Sequence, residues 1–168
     1  MELKDIFETF NYTTDIKWEA DVGHFYINNQ HFSMNIRPAS FHEKRKFYRF
    51  FADLDQQPNV GNVDFHHIDS NGNSTQDLTG LMGRSALKVY AVVAQGAKEQ
   101  RAKYGFDIFL CIAKDQKRAG AYEDICNRIA KKNNMYSAKL SQNPNEAVYA
   151  VFDQQFSKGI ADIQKHLK

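Results

Sequence analysis

The chain has 168 residues, 42% of them hydrophobic and 25% charged, which suffices for one domain with its own core and excludes a disordered chain. Twenty-two basic residues stand against 20 acidic ones, and the net charge of +2 gives no broad electrostatic footprint, so nucleic acid is not an expected partner. No apolar run approaches the ~18 residues of a membrane span, and MELKDIFETF lacks the basic start and apolar centre of a signal peptide, so no membrane association and a cytoplasmic location are expected.

In chain order, MELKDIFETF places Leu3, Ile6, Phe7 and Phe10 on one helical face and predicts a short N-terminal helix. DIKWEA, HFYINNQHFSMNIRP, KRKFYRFFADLD and NVDFHHID are rich in aromatic and β-branched residues and predict strands. Asn28-Asn29 reads as a two-residue hairpin turn that sets position 27 opposite 30, 26 opposite 31 and 24 opposite 33. One face then carries Phe25, Ile27, Phe32, Met34 and Ile36; the other carries His24, Tyr26, His31, Ser33, Asn35 and Arg37.

After Asp69 the apolar period changes to 3.6. Leu78, Leu81, Met82, Ser85, Val89, Val92, Val93 and Gly96 mark a helix of about 20 to 25 residues that stops near Tyr104-Gly105. DIFLCIA is a continuous apolar run, the pattern of a central strand buried on both faces. A second helix over 118–133 buries Tyr122, Ile125, Cys126 and Ile129 and ends at Asn133-Asn134. Two strands, near 135–140 and 147–152, flank the turn SQNPNE, and a last amphipathic helix carries Phe156, Ile160, Ile163 and Leu167. Without a repeat or long linker, residues 1–168 form a single domain.

The succession VDFHHID, TGLMGRSALKVYAVV, DIFLCIA and RAGAYEDI resembles the GNAT superfamily of N-acetyltransferases over about residues 62–152. It is most similar to the divergent GNAT-like proteins encoded by tailed bacteriophages. In that family a fourth strand leads through a glycine-containing loop into a helix that receives the acetyl-CoA pyrophosphate, and the next strand precedes a helix bearing a tyrosine. The resemblance implies an α+β fold, with a mixed, mostly antiparallel central sheet flanked by helices and with an N-terminal and a C-terminal helix. It also implies that the strands at 64–69 and 107–113 are neighbours that diverge at one end to make a cleft.

The first turn of a helix has unpaired N–H groups and a positive dipole end, and glycine lets a phosphate approach the backbone closely. Thr79, Gly80, Gly83, Arg84, Ser85 and Lys88 are the cofactor-binding residues that the resemblance implies for the pyrophosphate of acetyl-CoA. Ile112 is implied for pantetheine lying along DIFLCIA. Acyl transfer to an amine needs a base and an acid. Asp64, His66, His67 and Asp69 include positions of either strand parity, so at least one faces the cleft, and an imidazole titrates near neutral pH. His66 or His67 is the expected base, and Tyr122 stands where the family's tyrosine lies.

The expected function is acyl-CoA-dependent N-acyltransfer to an amine-bearing substrate, in the host cytoplasm if the chain is phage-encoded. The family's loop reads Gln or Arg, two residues, Gly, one residue, then Gly or Ala; counted from Gly80, the outer positions here are Asp77 and Met82. This departure motivates the alternative, a non-catalytic GNAT-like phage protein that binds a host or virion protein. The same glycines would also let the helix pack closely on a strand.

Six histidines invite a metal site, but no His-x-x-x-His pair or paired-cysteine motif is present, so none is expected. Cys111 and Cys126 lie in buried patterns and read as reduced, non-nucleophilic residues. FHEKRKFYRF reads as a loop and edge strand with charges on its wet face.

Overall fold

A computed structural model of the chain describes residues 11–41, 44, 48–51, 55–75, 84–114, 116–143 and 145–166. The N-terminal helix expected over residues 1–10 lies outside the described residues, as do Thr79, Gly80, Gly83 and Leu167. The strands are β1 (Lys17–Glu19), β2 (Val22–Ile27), β3 (Gln30–Pro38), β4 (Val60–Ile68), β5 (Ser74–Thr75), β6 (Ile108–Ala113), β7 (Tyr136–Asn143) and β8 (Glu146–Phe152). The helices are α1 (Arg84–Tyr104), α2 (Gln116–Asn133) and α3 (Ser157–His166). The fold is α+β: an open sheet ordered β1-β2-β3-β4-β6-β8-β7, with β5 beside β4, antiparallel throughout except between β4 and β6.

The hairpin register is the expected one, with Ile27↔Gln30, Tyr26↔His31 and His24↔Ser33. Asn28 and Asn29 have φ of 51° and 63°, the paired left-handed conformation that suits the twist of the flanking strands. Alternation then buries Phe25, Ile27, Phe32, Met34 and Ile36 together with Val89, Val92 and Val93 of α1. The helix lies so close to β3 that a Cβ at Gly96 would overlap Met34 Sδ. Gly105 (φ 67°) and Asn134 (φ 54°) follow α1 and α2 in the left-handed conformation that commonly terminates helices.

Every side chain of β6 except the partly buried Ile112 is buried. One core lies between the sheet and the α1/α2 layer and includes Phe109, Tyr122, Ile125 and Ile129; another includes Leu110, Ala150, Phe156, Ile160 and Ile163. The polar face of β2 and β3 stays partly exposed, with Tyr26 57% exposed. Cys111 and Cys126 are free thiols buried against one another; burial first, and then Cys111, push the Cys126 thiol up.

Among the described residues of KRKFYRFFADLD, the expected strand is not found. Phe41, Lys44 and Tyr48 are helical, and Arg49–Phe51 is a 3-10 turn. Its aromatic content predicted a pleated surface, but Phe51 is instead used as a plug: it meets Phe156 edge-on at 5.7 Å, and a Cβ at Gly159 of α3 would overlap its ring. Packing against a helix overrides β propensity here. Residues 69–83 also include the small strand β5, so β4 does not pass directly into α1.

Candidate functional site

β4 and β6 pair in parallel for four residues, from Val60↔Ile108 to Val63↔Cys111. From Asp64 onward β4 pairs with β3 and β5, whereas Ile112 and Ala113 of β6 pair with β8. The two central strands therefore part at their C-terminal ends. Both elements are drawn away there: β4 is held by the β5 hairpin, and β6 turns toward α2.

Three side chains meet at the split. The Tyr122 hydroxyl donates to Asp64 Oδ1 at 2.8 Å, and His66 Nε2 lies 3.1 Å from Asp64 Oδ2. The Phe65 backbone N–H also donates to Asp64 Oδ1, at 2.9 Å. Tyr122 comes from α2 on the core side and is 2% exposed. Asp64 and His66 alternate with Val63 and Phe65 of the core, so they point to the opposite face. The hydroxyl reaches Asp64 because the β4–β6 ladder has ended. A continuous ladder would separate the two layers.

Burial raises the Asp64 carboxyl pKa, but hydrogen bonds with His66 and Tyr122, the His66 charge and the Phe65 N–H outweigh it and set the net shift downward. Burial first, and then the charge and hydrogen bond of Asp64, push the Tyr122 phenol far up. The pair is thus a carboxylate beside a firmly protonated phenol. Because the carboxylate only accepts, His66 Nε2 carries the proton of their hydrogen bond, and the Nδ1 atom is buried with no partner.

A cavity of about 280 Å³ opens beside this group, lined by Asn35, Arg37, Asp64, Ile112, Lys114 and Glu146 among others. His66 and Tyr122, both expected site residues, are therefore joined through Asp64, and Ile112 stands at the cavity just past the last β4–β6 pair. His67 is directed to the other face, its ring 5.2 Å from Phe32 and its backbone opposite Thr75. It is not brought to the Asp64 group. Asp69 builds a turn, accepting from the Asn71 and Asn73 N–H groups at 2.8 Å each.

The described N-terminal end of α1 stands at the end of the sheet where the split opens. Ser85 Oγ accepts from Asn28 Nδ2 at 3.0 Å, and the β2–β3 turn that holds Asn28 adjoins the end of β4 through His31↔Ile68. The Lys88 ammonium lies 4.8 Å from the Tyr12 ring centroid. Arg84 begins the described part of α1. Asp64 is the residue whose role the sequence reading did not isolate. The available signal was its spacing of two from His66 on a strand, which puts both side chains on one face.

Among the described residues, no helix is long and apolar enough to cross a membrane, and no group of three or more His, Cys, Asp or Glu is placed to hold a metal ion. No protein-family model, no curated protein and no solved structure matches the chain.

Proposed function

We propose that the chain is an acyl-CoA-dependent N-acyltransferase with a GNAT-like fold, moving an acetyl group to an amine at the split between β4 and β6. The observation that carries this reading is the Asp64 carboxylate, held between His66 and Tyr122 where the two central strands part. Two features fit acetyl-CoA. Among the described residues no strand pairs with β6 on its β4 side past Cys111, so its backbone there offers hydrogen bonds to pantetheine amides near Ile112. The described N-terminal end of α1, at Ser85, stands toward the same end of the sheet, and the N-terminus of a helix suits a pyrophosphate.

Bound acetyl-CoA supplies the activated acyl group. Asp64 orients the incoming amine by accepting an N–H and takes the proton released as the C–N bond forms. Once Asp64 is protonated, its charge, which after burial adds most to holding the proton on Tyr122, is gone. Tyr122 then gives its proton to the departing thiolate as it receives one from Asp64. The net result is one proton passed from amine to thiolate, with both side chains restored. His66 positions Asp64 through its Nε2 hydrogen bond.

The test is release of free CoA thiol from acetyl-CoA and an amine, together with melting in acetyl-CoA. Asp64→Asn is expected to lower turnover by about 10² to 10⁴. With micromolar affinity, millimolar acetyl-CoA is expected to stabilise parent and variant alike by about 4 kcal/mol. A parent protein that acetyl-CoA does not stabilise would overturn the reading. The second reading is a GNAT-like module that binds a host or virion protein without catalysis. It is favoured by the engagement of Ser85 with Asn28 and of Lys88 with Tyr12, both residues that the resemblance implies for pyrophosphate.

A further inference from the structure

We infer that His24 and His31, on the polar face of the β2–β3 hairpin, form a two-histidine site for a late first-row divalent metal ion such as Cu²⁺, Ni²⁺ or Zn²⁺. Neither ligand belongs to the Asp64 group, so the inference does not rest on the transferase reading.

The hairpin sets the two rings side by side. His24 lies opposite Ser33 and His31 opposite Tyr26, which makes the histidines diagonal neighbours on one face. His24 Nδ1 and His31 Nε2 are 3.1 Å apart, with the ring planes at 42°. Two nitrogens that each sit ~2.0–2.1 Å from one ion, at tetrahedral or square angles, are about 2.9 to 3.4 Å from each other. The separation in the hairpin falls inside that range.

Without an ion, one of the two nitrogens donates its proton to the other. Moving that proton to the far nitrogen of the same ring leaves a lone pair on each facing nitrogen, with no change of charge. Both residues are only partly buried, so water can accept from the far nitrogen. Tyr26 stacks on His31 at 4.7 Å and 11°, which fixes the plane of one ligand. Burial first, and then His24 and His67, hold the His31 pKa below its ordinary value, so a proton competes weakly for Nε2 at neutral pH.

Among the described residues no third His, Cys, Asp or Glu completes the set, so water fills the remaining positions. Two neutral imidazoles favour borderline ions over hard ones such as Mg²⁺. Helical His pairs and paired-cysteine motifs do not describe this site, because its ligands stand six residues apart across a turn.

Calorimetric titration of the full chain with CuCl₂, NiCl₂, ZnCl₂ and MgCl₂ tests the pair. Saturable binding of the three transition ions is expected, with none of Mg²⁺. His24→Gln and His31→Gln should each weaken Cu²⁺ binding at least about tenfold, because either leaves a single imidazole. His166→Gln, on α3, should leave it unchanged; should one hairpin variant not fold, the other reads the same chelate. The electron paramagnetic spectrum of bound Cu²⁺ should show coupling to two nitrogens in the parent and to one in either hairpin variant. No saturable Cu²⁺ binding, an affinity that survives His24→Gln and His31→Gln, loss on His166→Gln, or Mg²⁺ bound as tightly as Cu²⁺ would overturn the inference.

Discussion

The two halves of β4 differ in what lies beside them. Residues 60–63 run between β3 and β6, and Val60, Gly61 and Val63 are buried. Residues 64–68 have β3 and β5 as partners and carry Asp64, His66 and His67. The closed end is tied further: the Arg101 guanidinium donates to both Asp153 oxygens, at 2.9 and 3.0 Å, and to the carbonyls of Phe106 and Asn133. Nearby, the Asn59 N–H donates to Asp107 Oδ2 at 2.8 Å and Asn59 Nδ2 donates to the Tyr104 carbonyl. At the open end the ladder stops, and the gap admits a hydroxyl from one layer to a carboxylate of the other. The tightly packed stretch and the candidate site thus occupy successive parts of one strand.

If that division is correct, substitutions at the two ends fail differently. Phe109→Ala, at the closed end opposite Gly61, removes a fully buried ring and is expected to cost about 3 to 5 kcal/mol in equilibrium unfolding. A loss below about 1 kcal/mol would deny that this end carries the core.

Tyr122→Phe keeps the ring and removes one hydrogen bond to Asp64, for an expected cost of about 1 to 2 kcal/mol. The sign of its pH dependence follows from the lowered Asp64 pKa. A depressed carboxyl contributes stability that is present above its unfolded value and is lost as pH falls through the folded one. The advantage of the parent over Tyr122→Phe should therefore be full at neutral pH and narrow below about pH 4. Unfolding curves across that range check it; a gap that does not change with pH would detach Tyr122 from Asp64.

The smallest expected effect lies on the polar face at the open end. Burial first, and then His24 and His67, lower the His31 pKa, so protonation opposes folding. His24 Nδ1 lies 3.1 Å from His31 Nε2, and Tyr26 stacks on the His31 ring. His31 therefore contributes stability that is present above about pH 6.5 and is lost below it. His31→Gln should flatten the melting temperature between pH 7 and pH 5. An unchanged slope would place the acid sensitivity elsewhere.

Much of the scaffold was legible because local chemistry decided it. Asn28-Asn29 fixed the hairpin register, alternation fixed the faces of β2 and β3, and the run DIFLCIA marked β6. Gly105 and Asn134 stand just past the helix ends that the period-3.6 pattern predicted. The segment through Phe51 was misread because aromatic content serves a strand and a helical plug alike, and only α3, which begins at Ser157, distinguishes them.

His66 and Tyr122 were legible as candidate residue types. Their junction was not. Asp64 meets Tyr122 across 58 positions of sequence, and that contact exists only once β4 and β6 have parted.

The most direct test of the central claim, that the split is where acetyl-CoA binds, is titration of the chain with acetyl-CoA while amide chemical shifts are followed. The account predicts saturable shifts grouped at residues 64–68, 84–88 and 112–114, with residues 59–61 and 153 little changed. No saturable shifts, or shifts confined to the closed end, would contradict it.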